Sequence, residues 1–470
     1  MLTGSPSVAP ARAGRPTPPA GTGWAARGLA LAVLVVVAIA TAFGAARDPL
    51  LTLAGAGAVA ALAVIVKRPV LALTVLVASF YFRNYLDSGA GLITPAKGIG
   101  VLAVIAWAVP WLIGRRRVRP AATLWPVLGL ILWLPASFTA AGNTHAALIN
   151  CLRYLIFFTL AFLVVQVGSD SRRTVERIVD VAVLAAGVAG LIGIVSVLAS
   201  HKYRSTGPIG DPNDFAFVLG ATVPLMMYRI RWPGERQGRI RRVVASVCFG
   251  LAMATILGTL SRGGLVGLGS AGVWALATRR MRLRWGLAAA GVAGLLVVLA
   301  FVFIPTRINT SLQAKNKVAA VNVESRLYYW TGAVREFEAH PITGVGPGNF
   351  ASSLTDVSTY RAAGTINIKA ATTVDTTHNT YLNVLAELGG PGLALFATYL
   401  ALSWRELRRR HRSDRSTDEL QAALAAGFVS AVVAASFLTE QFFAPLWLLP
   451  ALAVCVNRLA APARADHPGT

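Results

Sequence analysis

Residues 178–199 read IVDVAVLAAGVAGLIGIVSVLA, with one charge, Asp180, near the start and none after it. A helix of that length at about 1.5 Å per residue spans about 33 Å, the thickness of a bilayer's hydrocarbon core. Backbone N–H and C=O groups cannot stay unpaired in lipid, so a run like this must be helical. A membrane β-barrel would instead show short alternating strands, and this run does not alternate. Moving outward, the same pattern recurs along nearly the whole chain. A first apolar run at 28–45 is followed by others near 50–66, 70–83, 97–113, 122–140 and 147–167. Beyond 178–199 come 214–229, 243–260, 263–278, 285–304, 380–403, 420–438 and 442–457. The run 70–83 is short for a span, and 420–457 reads as a pair of spans, a re-entrant segment or one long helix. The expectation is an all-α, polytopic transmembrane helix bundle of about 12–14 spans, with one long external loop that contains helical structure.

Composition agrees. Of the 470 residues, 55% are hydrophobic and 14% charged, against about 25% charged in soluble domains; mean hydropathy is +0.60. The net charge of +24 would point to nucleic acid in a soluble protein. Here it follows topology. With the N-terminus placed in the cytoplasm, the loops on that side include Lys67-Arg68, Arg115-Arg116-Arg117, Arg172-Arg173, Arg229 to Arg242, Arg279 to Arg284 and Arg405 to Arg415. With the termini, they hold most of the 44 basic residues. The alternation never breaks, so the positive-inside rule predicts an even number of spans and two cytoplasmic termini, with no nucleic-acid partner. The run 28–45 is long and is followed by many others, so it reads as an anchor and not as a cleaved signal. The expected organisation is a disordered tail at 1–25, a bundle at 26–304, a large extracytoplasmic loop at 305–379, further transmembrane helices at 380–458 and a tail at 459–470. Cys151, Cys248 and Cys455 each sit in an apolar run and read as buried packing residues. There is no Cys-x-x-Cys and no His/Cys cluster, so no metal is expected.

Polar residues at the external surface carry the functional signal. Arg262 sits in GTLSRGGLVGLG, between two apolar runs with almost no loop. An arginine near membrane depth is costly and tends to face a cavity or a partner, and guanidinium suits bidentate phosphate binding. Snorkelling to the surface is the plainer alternative. Arg204 opens RSTGPIGDPNDFA, where Asp211 or Asn213 can cap the next helix; taken alone it reads as an external turn. His378, in THNTYLNVLAELGG, stands at the mouth of the helix beginning near 380. It suits a general base or, more plainly, a cap or an interfacial residue. Glu387 lies some 13 Å deeper at the helical rise, out of reach of His378 and placed to pair with another helix. In the loop, Glu324–Ala339 reads as a helix with Leu327, Trp330, Val334 and Phe337 at helical spacing. It ends at His340-Pro341 and a glycine-rich turn, Gly344 to Gly348. Arg326 and Arg335, two and a half turns apart, face opposite sides. Arg326 is the one expected to face the site.

These motifs come in order: Arg204 in R-x-x-G-x-x-x-D-P-N, Arg262 in S-R-G-G, SRLYYWTGAVREFEAHPITGVGPGNF, then H-N-T-Y-L-x-x-L-x-E-x-G. Together they resemble the O-antigen ligase and O-antigen polymerase superfamily of bacterial membrane glycosyltransferases, over about 200–400. The resemblance implies cell-surface polysaccharide biosynthesis in the cytoplasmic membrane of a bacterium. A glycan leaves an undecaprenyl-diphosphate donor on the outer face and joins a glycan, lipid or protein acceptor, with neither nucleotide sugar, cofactor nor metal. It also implies His378 as catalytic base and Arg204 and Arg262 as diphosphate ligands, with Arg326 matching a further family arginine. Attack opposite the diphosphate would invert the anomeric centre. Ligase, polymerase and transfer to protein share that donor and differ in acceptor. The competing class is a membrane solute transporter built on the same domain, which inverted repeats and paired broken helices would favour.

Overall fold

The computed structural model describes residues 68–86, 94–199, 204–234, 238–280, 283–303, 309, 313, 319–354, 376–411 and 414–461. The expected spans at 28–45 and 50–66, the tail at 1–25, most of 459–470 and much of the 305–379 loop lie outside them. Numbering the helices longer than one turn, α1 is Pro69–Ser79, continued by a 3-10 turn and the short helix Arg83–Leu86. Then follow α2 Pro95–Leu112, α3 Leu124–Phe138, α4 Thr144–Gly168, α5 Arg172–Ala199, α6 Pro212–Arg231, α7 Gly238–Thr259, α8 Arg262–Ala277 and α9 Leu283–Phe303. The series ends with α10 Ala319–Ala339, α11 Thr380–Leu407, α12 Arg415–Ala434 and α13 Pro445–Ala460. The protein is an all-α polytopic membrane bundle, and every expected span on described residues is helical. Among the described residues, six helices are long and apolar enough to cross a bilayer: α1 with its continuation, α2, α4, α5, α7 and α11. The stretch 420–457, open between three readings, is two helices, α12 and α13, joined by a non-helical turn and packed on each other.

The chain divides into two units, Met1–Val64 with Ala108–Arg117, and Ile65–Trp107 with Val118–Thr470. In the first, the described residues end α2 in a turn closed by the Arg115 N–H on the Pro110 carbonyl at 2.9 Å. The rest concerns the second unit.

Lipid offers no hydrophobic drive between helices, so they associate by close packing and polar contacts. α8 shows how. A Cβ on Gly264 would lie 2.5 Å from the Ala216 Cβ on α6, and one on Gly267 would lie 2.6 Å from the Ser430 carbonyl on α12. Small residues let the three backbones approach. Faces turned outward stay apolar, as Leu132 at 72% and Val273 at 68% exposure show; this suits lipid and would be a liability in water. At the end rich in arginine, ion pairs tie helices together: Arg119–Asp170 at 2.8 Å, Arg231–Glu419 at 2.9 Å and Arg280–Asp418 at 2.8 Å. Arg229, 2% exposed, meets Asp180 at 2.7 Å. Cys248 and Cys455 are buried as expected, but Cys151 is only partly so, because its face of α4 is not fully covered.

α11 is broken in its middle. Gly389 has φ 68 and ψ −171, and Pro391 follows two residues on. The break leaves carbonyls that the helix itself cannot serve. Loop residues 341–346 supply the missing partners: the Val345 N–H donates to Ala386 O at 2.9 Å and the Gly346 N–H to Glu387 O at 3.0 Å. In return the Gly390 N–H donates to Pro341 O at 2.8 Å. From α3, the Trp133 Nε1–H donates to Leu388 O at 2.9 Å, and Ser137 Oγ lies 2.8 Å from Thr343 O and 2.9 Å from Glu387 O. Irregular backbone inside a membrane protein is tolerated where protein satisfies it this way. Glu387 was expected to pair with another helix. Its carboxyl meets the backbone of Gly348 and Phe350, the Asn383 side chain and, from another helix, the charge of Arg153 on α4.

Candidate active site

Opposite the arginine-rich end, the starts of α6, α8 and α11 gather with the 435–444 turn. Each start is capped by its own side chain. Asp211 accepts from the Asn213 and Asp214 N–H groups, Ser261 from Gly264, and Asn379 from Tyr381 and Leu382. Of the two expected cap candidates ahead of α6, Asp211 is the cap and Asn213 has another task.

That task is Arg204. Its Nε donates to the Thr259 carbonyl at 2.7 Å and its Nη2 to Asn213 Oδ1 at 2.8 Å. The guanidinium plane is thereby fixed between the end of α7 and the start of α6. Immediately after Thr259, Leu260 takes φ 53, a conformation that costs an ordinary side chain about 1–2 kcal/mol. The chain then turns through Ser261 so that Arg262 opens α8 with its side chain exposed. A helix N-terminus with an exposed guanidinium beside it favours an anion.

His378 stands at the start of α11 in a left-handed conformation, φ 52. Thr377, fully buried, holds the turn by donating from Oγ1 to the Asn379 carbonyl at 2.6 Å. The cap is Asn379, so His378 is not needed for that purpose. Strained residues of this kind persist where the surroundings over-determine them, often at functional sites.

The loop helix α10 begins five residues earlier than the apolar spacing indicated. Its buried side is also different. Leu327 and Val334 are 54% and 40% exposed, whereas Tyr328, Tyr329 and Ala333 are buried with Phe350 and Ala386. The stripe read from spacing is therefore split, Leu327 and Val334 facing away while Trp330 and Phe337 are half-buried, because the tyrosines dock α10 onto α11. Trp330 donates from Nε1 to the Thr377 carbonyl at 3.1 Å, and the Tyr329 ring centroid lies 6.3 Å from that of His378. Arg326 lies one turn before Trp330. It is half-buried, and burial lowers its guanidinium pKa; Arg335 is exposed, as the opposite-face reading expected.

Contacts join these places. A Cβ on Gly263 would lie 3.2 Å from the Phe437 Cβ. Thr380 donates from N–H to Ala435 O and from Oγ1 to Leu438 O, both at 2.9 Å. The path Arg204, Thr259, Gly263, Phe437, Leu438 and Thr380 is thus continuous, with Arg262 next to Gly263 in sequence, His378 two residues before Thr380, and Arg326 on α10.

Four residues here escaped the sequence reading: Arg83, Arg153, Asp214 and Glu440. The Arg83 guanidinium lies 4.9 Å from the Phe443 ring centroid and that of Arg153 5.7 Å from Phe442. The signal was available, since an ionisable residue that interrupts an apolar run is itself a functional flag. Arg153 interrupts LINCLRYLIFF and Glu440 interrupts SFLTEQFFAPL. Among the described residues, no group of three or more His, Cys, Asp or Glu converges as a metal site.

Alongside α8 runs a cavity of about 530 Å³ between α6, α7, α8 and α12. Leu265, Leu268, Gly272 and Leu276 of α8 line it with Met227 and Phe249, and Arg231, Glu419 and Arg280 lie at its arginine-rich end.

Residues 247–397 match the model of a known family, described as O-antigen ligase. The match takes in Arg262, Arg326, His378 and the break in α11, and it bears out the resemblance read from the motifs; Arg204 lies before its start. No curated protein matches the chain.

Proposed function

We propose, from the O-antigen ligase match over residues 247–397, that this protein moves a glycan from an undecaprenyl-diphosphate carrier to an acceptor hydroxyl. The reaction would take place on the outer face of a bacterial cytoplasmic membrane. The observation that carries the reading is the set of contacts that runs from Arg204 through Thr259, Gly263 and Phe437 to Thr380, and so brings the segments carrying Arg204, Arg262 and His378 to one end of the bundle.

The chemistry follows from the groups present. The acceptor oxygen attacks the anomeric carbon and the bond from that carbon to the diphosphate oxygen breaks, inverting the centre. The acceptor proton passes to the His378 imidazole. The bonding pair leaves with the diphosphate, whose growing charge Arg204 and Arg262 stabilise in place. Arg326 adds positive charge from the loop side. The cavity beside α8 suits the carrier's isoprenoid, since it begins one turn below Arg262 and is lined chiefly by aliphatic groups. Leu268→Trp would fill it. The KM for an undecaprenyl-length donor should then rise about tenfold, equivalent to ~1.4 kcal/mol of lost binding. A donor with a short prenyl chain, which does not reach the cavity, should keep its KM.

The test is reconstitution in liposomes with a short undecaprenyl-diphosphate oligosaccharide and a membrane extract from the source organism, with and without EDTA. Release of carrier with glycan transfer in both conditions supports the reading, and the product distinguishes ligase from polymerase. A donor left untouched in the complete extract, together with uptake of a small solute, would replace it with transport.

A further inference from the structure

The turn between α12 and α13 buries Glu440 and Gln441, at the same end of the bundle as His378. Glu440 is 0% exposed, and neither of its carboxyl oxygens has a hydrogen-bond donor among the described residues. What faces it is another carboxyl, that of Asp214, in the first turn of α6. Two carboxylates can only repel; a carboxylic acid and a carboxylate form a short, charge-assisted hydrogen bond. One proton between them satisfies both. The remaining negative charge then belongs to Asp214, facing Arg83.

The backbone of the same turn is fixed to α11. The Glu440 N–H donates to Thr380 Oγ1 at 2.7 Å, two residues from His378. Asp214 is next to Asn213, which holds Arg204. The side-chain contact therefore closes a link between the helix start that carries the proposed base and the one that carries the proposed diphosphate arginine. We infer that Glu440 is held as a neutral acid that donates to Asp214, and that this pair is a positioning device setting the start of α11, with His378, against the start of α6, with Arg204.

Burial pushes the Glu440 carboxyl well above the ordinary carboxylate range. The nearby charges of Asp214 and Asp211 on α6 act in the same direction, and Arg83 following α1 opposes them. A carboxyl whose folded pKa is raised contributes fully below its ordinary value and loses that contribution as pH rises through the raised one. The device should therefore fail on the alkaline side. Glutamine at 440 keeps the donor and cannot ionise.

The role assigned to the pair rests on the transferase reading, so the experiment has one arm that needs no substrate. In the wild type minus Glu440→Gln infrared difference spectrum at neutral pH, a C=O band of a protonated, buried carboxyl that shifts in D2O is expected. Its absence would overturn the inference whatever the enzyme does. In the donor assay, Glu440→Gln should keep the wild-type kcat and lose the alkaline decline, while Glu440→Ala should lose on the order of 100-fold in kcat through misplacement. If Glu440→Gln is as inactive as Glu440→Ala at an unchanged melting temperature, Glu440 acts as a carboxylate and the inference is wrong. It is equally wrong if both variants match wild type at every pH. Wild-type protein that shows the band but never consumes donor would sink the transferase reading and leave the proton-sharing pair standing.

Discussion

His378→Ala should reduce transfer from the lipid-linked donor by about 10²–10⁴-fold, the usual worth of a positioned general base, without a matching loss of folded protein. Structure-breaking is the obvious confounder, and the geometry argues against it. The cap of α11 is Asn379, the turn is held by Thr377, and the His378 side chain is only half-buried. Its backbone, at φ 52, is one that glycine adopts without strain. His378→Gly is therefore the sharper control. It should melt at or above the wild-type temperature and be as inactive as the alanine variant. Activity retained in both variants would remove His378 from the reaction. Activity lost in both, with KM for the donor unchanged, would place the residue in the chemical step and leave the diphosphate to the arginines.

Gly389→Ala should be the most damaging single methyl in the protein. The backbone there has φ 68 and ψ −171, a region essentially reserved for glycine, and occupying it costs another residue about 1–3 kcal/mol. The added Cβ would also sit 2.0 Å from the Ile342 carbonyl, backbone that cannot step aside without giving up its neighbours. Moving loop 341–346 away would open the bonds to the carbonyls of Ala386 and Glu387, and each buried polar group left unpaired costs a further ~1–3 kcal/mol. Against a typical stability of about 5–15 kcal/mol, the variant should yield little monodisperse protein by size exclusion. Gly250→Ala, on α7 with open space around its Cβ, is the matched control and should purify like wild type. Equal yields for the two would mean that the loop is not fastened to α11 as described.

The helices were legible because lipid makes a simple demand, length and low polarity, and runs such as 178–199 meet it openly. Capping was half legible: Asp211 and Asn213 both suit a helix start, and only the position of Arg204 decides which one is free to cap. Which side of α10 is buried was not legible, for a physical reason. Spacing marks an apolar stripe but not what covers it, and tyrosines that look amphipathic in a string can be the packed face. Glu440 and Arg153 were not legible because a single charge among apolar neighbours leaves the hydropathy of the run almost unchanged. The shared proton was beyond reach, since it depends on two carboxyls more than two hundred residues apart in sequence meeting in a buried place.

The break in α11 also bears on how the molecule is made. Chains emerge N-terminus first, so residues 341–346 exist before the helix they complete. A segment entering the bilayer with open carbonyls at Ala386 to Leu388 cannot reach its final form by insertion alone; it waits for an upstream strap and for Ser137 and Trp133 of α3. Biogenesis of this helix is thereby a rendezvous, with a checkpoint written into its middle. A ligand or antibody that captures 341–346 during synthesis would arrest assembly inside the membrane while binding only to the loop.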